Sequence, residues 1–312
     1  MSEPKVHPDD SMQFLIATPR AYTATEAAKV CPDLPDPPAH DAFTRRLHRL
    51  EPDPEALWRE SRHHVRLDDG VLVVDDSTLD KPYAKSIELV TRHWSGKHHA
   101  VVAGINLVTL LWTDGDRNVP CDYRLYDEAD GPTENDHFAA MVAAAHARGF
   151  RPRCVAFDGW YSSLNDLKLI GSLGWTWPTR LESNRLVNFD RRGAKAVGAT
   201  AIAAAGTEVW LPGFGSVEVF GIVAPNGDTA YWATNDLAMT ELERLRVADC
   251  SWAIEHDHRG VEQCTGIERW GVPVGEGAAE PHRDGLAGVP AAGGPLLRAR
   301  GELGGGQGVD HS

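Results

Sequence analysis

The sequence has 312 residues, of which 42% are hydrophobic, 24% charged and 8% aromatic, a composition typical of soluble globular domains that excludes collagen-like, coiled-coil and wholly disordered proteins. A chain of this length buries enough apolar surface to fold without disulfides or a structural metal. Its 45 acidic and 31 basic residues give a formal net charge of −14, so any DNA-binding surface has to be a local basic patch.

No targeting or membrane-spanning segment is evident in the sequence. The longest apolar run, residues 101–112, has about half of the length that spans a bilayer and contains a glycine and an asparagine, which predicts a buried strand. The first twelve residues fit neither a signal peptide nor a transit peptide, so we expect a cytoplasmic protein. Five widely spaced cysteines without a C-x-x-C pair indicate reduced thiols.

The chain changes from helical to strand-like character at Gly70. Residues 1–69 carry proline-rich breaks around a helical stretch at 40–50, which indicates a small helical N-terminal region. Two segments rich in Val, Ile and Leu follow, GVLVVDDS from Gly70 and HHAVVAGINLVTLLWTD from His98. Turn residues separate these segments, so we expect neighbouring strands of one sheet.

The next segments alternate between helix and strand. Thr133 can cap a helix whose apolar residues recur at helical spacing, and Gly149 can end it. A strand with the sequence RCVAFDGW, a second helical segment from Ser162 and the strand WTWPTRL follow. This order predicts a mixed α/β sheet with helices packed on it over residues 70–186.

Three further regions complete the predicted organisation. Residues 187–236 contain short strand signals separated by Gly, Pro and an Asn-Gly turn, which predicts a β-rich insertion. Residues 237–270 have a helical pattern and are expected to return to the main body. Gly and Pro occupy 16 of the 42 positions in residues 271–312, against 34 of the 270 before them, so we expect a mostly disordered tail.

Three acidic residues occupy positions that a sheet edge and a covering helix can bring together. Asp76 ends the apolar strand VLVVDDS, Asp158 ends CVAFDGW, and Glu255 lies in the helical segment WAIEHDHRGVEQ. Neighbouring strand ends converge at one crevice, and a helix packed over it can add a third carboxylate. Three such oxygen donors suit Mg²⁺ or Mn²⁺, and a pair of ions supports phosphodiester chemistry. The alternative is that the aspartates only form turns or cap helices.

Long stretches of the chain resemble the DDE transposases of bacterial insertion sequences. The similarity extends from about residue 12 to residue 270 and is closest to the insertion-sequence-four superfamily. It is carried by three segments: VVDDSTLDKPYAKSIELVTRHWSGKHHAVVAGINLVTLLWTDG, GFRPRCVAFDGWYSSLNDLKLIGSLGWTWPTRLESNR and WAIEHDHRGVEQCTGIER.

The resemblance implies an RNase H-like fold, in which a mixed sheet is flanked by helices and a β-rich insertion precedes the last catalytic helix. It also implies an activity, the metal-dependent cleavage of DNA at the ends of the element and the transfer of the freed 3′-hydroxyls to a target. The implied cofactor is a pair of Mg²⁺ or Mn²⁺ ions. The implied partners are the terminal inverted repeats, target DNA and a second copy of the chain in a homodimer, with no role for a membrane.

By motif, the resemblance assigns catalysis and metal binding to the three carboxylates that stand out by placement. They are Asp76 in DDST, Asp158 in FDGWY and Glu255 in AIEHDHR. Asp75 competes for the first position. We prefer Asp76 because it directly precedes the hydroxyl residue, as in the family motif.

The helix around Glu255 departs from the superfamily pattern. The signature Y-x-x-R-x-x-x-E-x-x-x-x-x-x-K, anchored on this glutamate, expects Tyr, Arg and Lys where the sequence has Ala248, Ser251 and Glu262. The basic positions contact DNA in the family, so we expect phosphate binding to have moved to His258 and Arg259, which share a helical stripe with the glutamate. The alternative is a solvated, charged helix face.

Other side chains are candidates for contact with DNA. Five basic residues expected beside the sheet edge are candidate phosphate contacts: Lys81, Lys85, Lys97, Arg180 and Arg185. The alternative is that they only solubilise the surface. Trp210 and Trp232 lie in the predicted insertion, where we expect core packing, with stacking on an extruded base as the alternative.

The resemblance ends at Trp270, where family members continue with a basic, amphipathic helix. Reading the codons of the tail one nucleotide later permits an Arg-rich helical peptide, so we favour a frameshift over a native disordered terminus. Two alternatives to an active transposase follow. One is an inactive remnant that binds DNA or a partner transposase, and the other is an RNase H-like host nuclease that cuts DNA without joining strands.

Overall fold

The computed structural model divides the chain into two compact units. The first unit comprises residues 1–61, 78–106 and 258–312, and the second comprises residues 62–77 and 107–257. The structure describes residues 5–17, 23–30, 37–47, 52–81, 89–95, 99–190 and 192–265. The tail 271–312, expected to be disordered and out of frame, and the candidate phosphate contacts Lys85 and Lys97 lie outside these ranges.

The first unit contains four helices in the region where the sequence predicts helical structure. Their bounds are α1 (Pro8–Ala17), α2 (Ala24–Lys29), α3 (His40–Leu47) and α4 (Pro54–Ser61). Val6, Phe14, Ala27 and Phe43 are buried in one small apolar cluster, so the first three helices pack through their apolar faces. In the same unit, strand β2 (Thr91–Ser95) pairs antiparallel with the beginning of β3 (Ala100–Thr113).

The second unit is built on a mixed sheet, which includes the later part of β3. Its other strands are β1 (Val71–Asp80), β4 (Asn118–Tyr126), β5 (Cys154–Phe157), β6 (Pro178–Leu181), β9 (Thr207–Leu211), β10 (Gly215–Val223) and β11 (Thr229–Thr234). The strand order is β3-β1-β5-β6-β11-β10-β9, and β4 also pairs with β3. β5 runs parallel to β1 and β6, whereas β6, β11, β10 and β9 alternate in direction.

The strands expected in residues 187–236 extend this central sheet. β11 pairs antiparallel with β6, and β10 and β9 follow on its outer side. Two short strands before them, β7 (Leu186–Val187) and β8 (Lys195–Ala196), form a separate two-stranded ribbon. The strand-rich segment therefore adds three strands to one side of the sheet that carries the candidate aspartates.

Three helices follow the predicted pattern in the later part of the chain. They are α5 (Glu134–Ala147), α6 (Leu164–Ser172) and α7 (Glu241–Thr265). Thr133 caps α5 in a capping box with Asp136, and Gly149 adopts a φ of +88° after its end, so both helix signals are confirmed. Within the described ranges, no helix is long and apolar enough to cross a membrane.

The helices α7 and α5 pack on opposite faces of the sheet at β1 and β5. Ile254 of α7 lies in one apolar cluster with Val73 and Ala156. Phe138 of α5 packs edge-on against Phe157, which follows Ala156 in β5. Because successive side chains of a strand point to opposite faces, these contacts define an α7 face and an α5 face. The mixed α/β sheet flanked by helices, expected from the sequence, is confirmed.

Candidate active site

Residues of three neighbouring strands form a row on the face that α7 covers. β1, β5 and β6 run parallel and in register through Val74, Phe157 and Thr179. The next residue of each segment therefore lies in one row across the sheet, and these residues are Asp75, Asp158 and Arg180.

Two aromatic residues continue this row across the next two strands. Arg180 of β6 pairs with Trp232 of β11, which in turn pairs with Phe220 of β10. The guanidinium carbon of Arg180 lies 5.6 Å from the centroid of the Trp232 ring. The row thus passes from carboxylates through a cation to aromatic rings.

Asp75 and Asp76 point to opposite faces of the sheet. Val73 contacts the α7 cluster, and Asp75, two residues further along β1, points to the same side. Asp76 points to the α5 side, where its Oδ1 accepts a hydrogen bond of 3.0 Å from the hydroxyl of Tyr161. Among the described residues, Asp75 and not Asp76 lines the cavity that Asp158 borders.

A cavity of about 540 Å³ lies between this row and α7. Its charged lining comprises three carboxylates and two guanidiniums: Asp75, Asp158, Glu255, Arg180 and Arg244. Its larger apolar lining residues are Val73, Val74, Phe157, Ile222, Leu245, Ile254, Trp232 and Trp252. The structure therefore brings together Asp158 and Glu255, two of the three carboxylates expected from the sequence, with Asp75 as the third.

Like charges dominate the carboxylate end of the cavity. The pKa of Asp75 is raised well above its usual value, first by burial and then by the charges of Asp76 and Asp158, with a smaller effect of Glu255. Desolvation also raises the pKa of Asp158, although its backbone hydrogen bonds and the charge of Arg180 oppose this effect. The carboxylates repel one another, so this end of the cavity favours a positive ligand.

A single 3₁₀ turn at residues 159–161 fixes Asp158 and its surroundings. The Oδ1 of Asp158 accepts a hydrogen bond of 2.9 Å from the backbone N–H of Trp160. Tyr161, fully buried in the same turn, stacks on Phe138 and holds Asp76. The Trp160 indole is 63% exposed and donates to Glu134 Oε2 at 2.7 Å. The turn therefore positions both aspartates, Asp158 through the backbone N–H of Trp160 and Asp76 through the hydroxyl of Tyr161.

Comparison with known protein families gives a match to residues 39–197, just over half of the chain, and the matching family is described as DDE superfamily endonuclease. The chain belongs to this family. The matched stretch of this DDE endonuclease contains Asp75, Asp76 and Asp158, and Glu255 follows it along α7.

The DDE endonuclease is also similar to a solved structure, the cryo-EM structure of a piggyBac transposase synaptic complex with hairpin DNA. The two chains are 10% identical, with a TM-score of 0.58, and the similarity covers 100% of this chain and 69% of the other. At this identity the similarity concerns the fold, and it agrees with the mixed α/β sheet described above. A comparison with curated proteins found no match.

Endonucleases of the DDE superfamily generally use divalent metal ions, and the donors of the cavity suit them. Asp75, Asp158 and Glu255 offer hard carboxylate oxygens, and a divalent cation would relieve the repulsion that raises the pKa of Asp75. Within the described residues, no three His, Cys, Asp or Glu side chains lie close enough together to hold one ion. A shared ion therefore requires these carboxylates to move closer together.

The basic residues expected to contact DNA are placed in different surroundings. Arg180 lines the cavity, whereas Arg185 is half-buried and lies outside the cavity lining in the described structure. Lys81 is buried, and its backbone N–H donates to Ala103 in the first unit. His258 is 7% exposed and burial lowers its pKa to about 4, so the expected phosphate contact is a buried, uncharged side chain at neutral pH. Arg259 is exposed.

Two functional candidates were missed by reasoning from the sequence, Arg244 and Trp252, both on α7. Together with Ala248 and Glu255 they recur at helical spacing along the cavity, which is the signal that could have found them. The expectation of core packing for Trp210 is wrong, since this side chain is 48% exposed on β9. Trp232 is half-buried in the cavity wall.

The hydrogen bond between Tyr161 and Asp76 makes a measurable contribution to stability. We expect Tyr161→Phe to lower the free energy of unfolding by about 1.5–3 kcal/mol, because a charged acceptor loses its buried donor. Chemical denaturation of Tyr161→Phe, Asp76→Asn and the double variant measures the coupling. Strictly additive effects would mean that the two side chains do not interact.

The burial of His258 makes stability depend on pH. Its pKa of about 4 in the folded chain lies below the ordinary 6.5. As the pH falls, the imidazole is therefore protonated in the unfolded chain before it is protonated in the folded one. The stability that neutral His258 provides is present above pH 6.5 and is lost as the pH falls toward 4. We expect the unmutated chain to lose about 3 kcal/mol relative to His258→Leu between pH 7 and pH 4. Parallel stability curves of the two chains over this range would contradict this assignment.

Proposed function

We propose that the chain is a DNA transposase that cuts the ends of an insertion element and joins the freed 3′-hydroxyls to target DNA. The observation that carries this proposal is the meeting of Asp75, Asp158 and Glu255 at one cavity in a DDE endonuclease. The fold similarity to a transposase captured with hairpin DNA supports the choice of DNA as substrate. Membership of the insertion-sequence-four superfamily, action as a homodimer on DNA and a cytoplasmic location belong to the same proposal.

In this proposal two Mg²⁺ or Mn²⁺ ions are held by Asp75, Asp158 and Glu255, with Asp76 as the alternative to Asp75. When bound, such ions would supply Lewis-acid activation of a water or a 3′-hydroxyl and would stabilise the leaving oxygen. The backbone N–H of Trp160 orients the Asp158 carboxylate, and α7 brings Glu255 over the sheet. Arg180, next to Asp158 in the row, supplies a cation for the DNA backbone.

An inactive remnant that binds DNA or a partner transposase is the second candidate. It is favoured by one observation, that no three of the described acidic, His or Cys side chains are close enough to share an ion. The frameshift proposed for residues 271–312 would be one cause of inactivity. A host nuclease with the same fold remains the third reading, and it differs from a transposase because it does not join strands.

Cleavage of DNA that carries the element's ends tests the proposal. The substrate is the gene with its flanking inverted repeats, identified from the surrounding nucleotide sequence, and products are resolved on denaturing gels with Mg²⁺ or Mn²⁺. We expect Asp75→Asn, Asp158→Asn and Glu255→Gln each to lower the cleavage rate by at least about 100-fold, because each removes a carboxylate that would hold the ions at the reaction centre.

Asp76→Asn is the matched control on the opposite face of β1, and we expect it to retain most of the cleavage. If Asp76→Asn abolishes cleavage while Asp75→Asn does not, the first ligand is Asp76. Cutting without strand joining would favour the host nuclease. If the unmutated chain binds the repeats and never cuts them, the remnant is the correct reading.

A further inference from the structure

Arg244 of α7 is a buried cation that forms no ion pair with any residue that the structure describes. The residue is 5% exposed, its Nε is buried without a hydrogen bond, and within the described ranges its guanidinium makes no ion pair. Glu241, exposed one turn earlier, is the acidic residue whose charge acts on it, yet burial has the larger effect and lowers the pKa of Arg244. An unpaired buried cation is costly, so this position has a strong preference for an anion.

This guanidinium borders the cavity that contains the carboxylates. Its central carbon lies 6.0 Å from the centroid of the Phe220 ring. Phe220 pairs with Trp232, over which Arg180 is stacked. Two guanidiniums therefore lie over aromatic rings of adjacent strands: Arg180 beside Asp158 in the middle of the row, and Arg244 at the end opposite the carboxylates.

The two charged ends belong to one cavity, whose lining defines a path along α7. Arg244 and Glu255 are separated by eleven residues of helix, which corresponds to about 16 Å. Across the sheet, the strands from β5 to β10 cover a similar distance, since neighbouring strands are about 5 Å apart. Between the two charged residues, α7 lines the cavity with the small side chains of Ala248 and Ser251 and with the larger ones of Leu245, Trp252 and Ile254. The path is therefore longer than one phosphate group.

We propose that Arg244 binds a backbone phosphate of a DNA strand that lies along this path, and that this phosphate is not the one that is cut. The inference rests on the proposed function, since the carboxylate end would hold the scissile phosphate of the same strand. A guanidinium recognises a phosphate through two parallel N–H donors, and the Trp232 ring offers a face for a sugar or base between the two ends. The strand thus runs from the carboxylates past Arg180 toward β10.

The effect of replacing Arg244 on stability distinguishes a role in ligand binding from a role in the fold. If Arg244 served the fold, replacing it would destabilise the protein. If it waits for an anion, Arg244→Met removes a buried unpaired charge while conserving much of the side-chain volume. We expect the unfolding midpoint of Arg244→Met to equal or exceed that of the unmutated chain, together with weaker binding of DNA.

Fluorescence anisotropy measures the binding directly. The full chain, in EDTA so that no cleavage occurs, is titrated onto a labelled oligothymidine of about 12 nucleotides at several salt concentrations. We expect Arg244→Gln and Arg244→Met to raise the Kd about tenfold, and the slope of log Kd against log salt to decrease by about 0.7, the value for one phosphate contact on a single strand.

Arg246→Gln is the matched control, because Arg246 is exposed on the same helix and the substitution removes the same charge. We expect its Kd to stay within about twofold of the unmutated value, since it makes no phosphate contact in this arrangement. If the Arg244 and Arg246 variants lost equal affinity for the oligonucleotide, the effect would come from net charge alone, and the inference would be overturned. A Kd unchanged in both Arg244 variants would also overturn it.

Competition with inorganic phosphate tests whether the site binds a DNA strand or only a free anion. We expect phosphate to displace the oligonucleotide only weakly, because the strand also contacts the aromatic rings and Arg180. Displacement of the oligonucleotide by phosphate at equal concentration would show an anion pocket without a strand path and would contradict the inference. A chain that binds the oligonucleotide through Arg244 but never cuts DNA with Mg²⁺ or Mn²⁺ would contradict the proposed function and leave this inference standing.

Discussion

Adjacent side chains of a strand point to opposite faces of its sheet, and the position of α7 decides which aspartate of β1 belongs to the cavity. The apolar residues of α7 pack on Val73 and Ala156, so the next residues on that face, Asp75 and Asp158, come to lie beneath the helix. Glu255 directly follows the packed Ile254. The packing of α7 therefore assembles the acidic end of the site, and changes to this contact would act on the chemistry as well as on stability.

The cavity concentrates charge that a purely structural core would avoid. Burial and neighbouring carboxylates raise the pKa of Asp75, and at the other end Arg244 is buried without an ion pair in the described part of the chain. Neither arrangement stabilises the free protein. In the proposed function both become favourable, because the carboxylates would hold cations and Arg244 would hold a backbone phosphate. Proteins commonly carry such local costs at functional sites.

Patterns along the sequence were enough to predict the elements and two of the three carboxylates that line the cavity. Thr133 and Gly149 marked the ends of α5, and the ends of two apolar runs marked the aspartate positions. Periodicity could not choose between Asp75 and Asp76, because that choice depends on which face a distant helix covers. For the same reason the sequence placed His258 on a charged stripe, although packing buries it. An arginine in a helical pattern usually indicates a solvent-exposed face, so the sequence did not predict that Arg244 is buried.

A crystal structure of the full chain with Mn²⁺, with the metal located by anomalous scattering, tests the central claim most directly. The account predicts anomalous peaks in the cavity beneath α7, with Asp75, Asp158 and Glu255 as protein ligands that lie closer together than they do here. A peak bound by Asp76 on the α5 face, or carboxylates that remain apart with no ordered metal at saturating Mn²⁺, would contradict it.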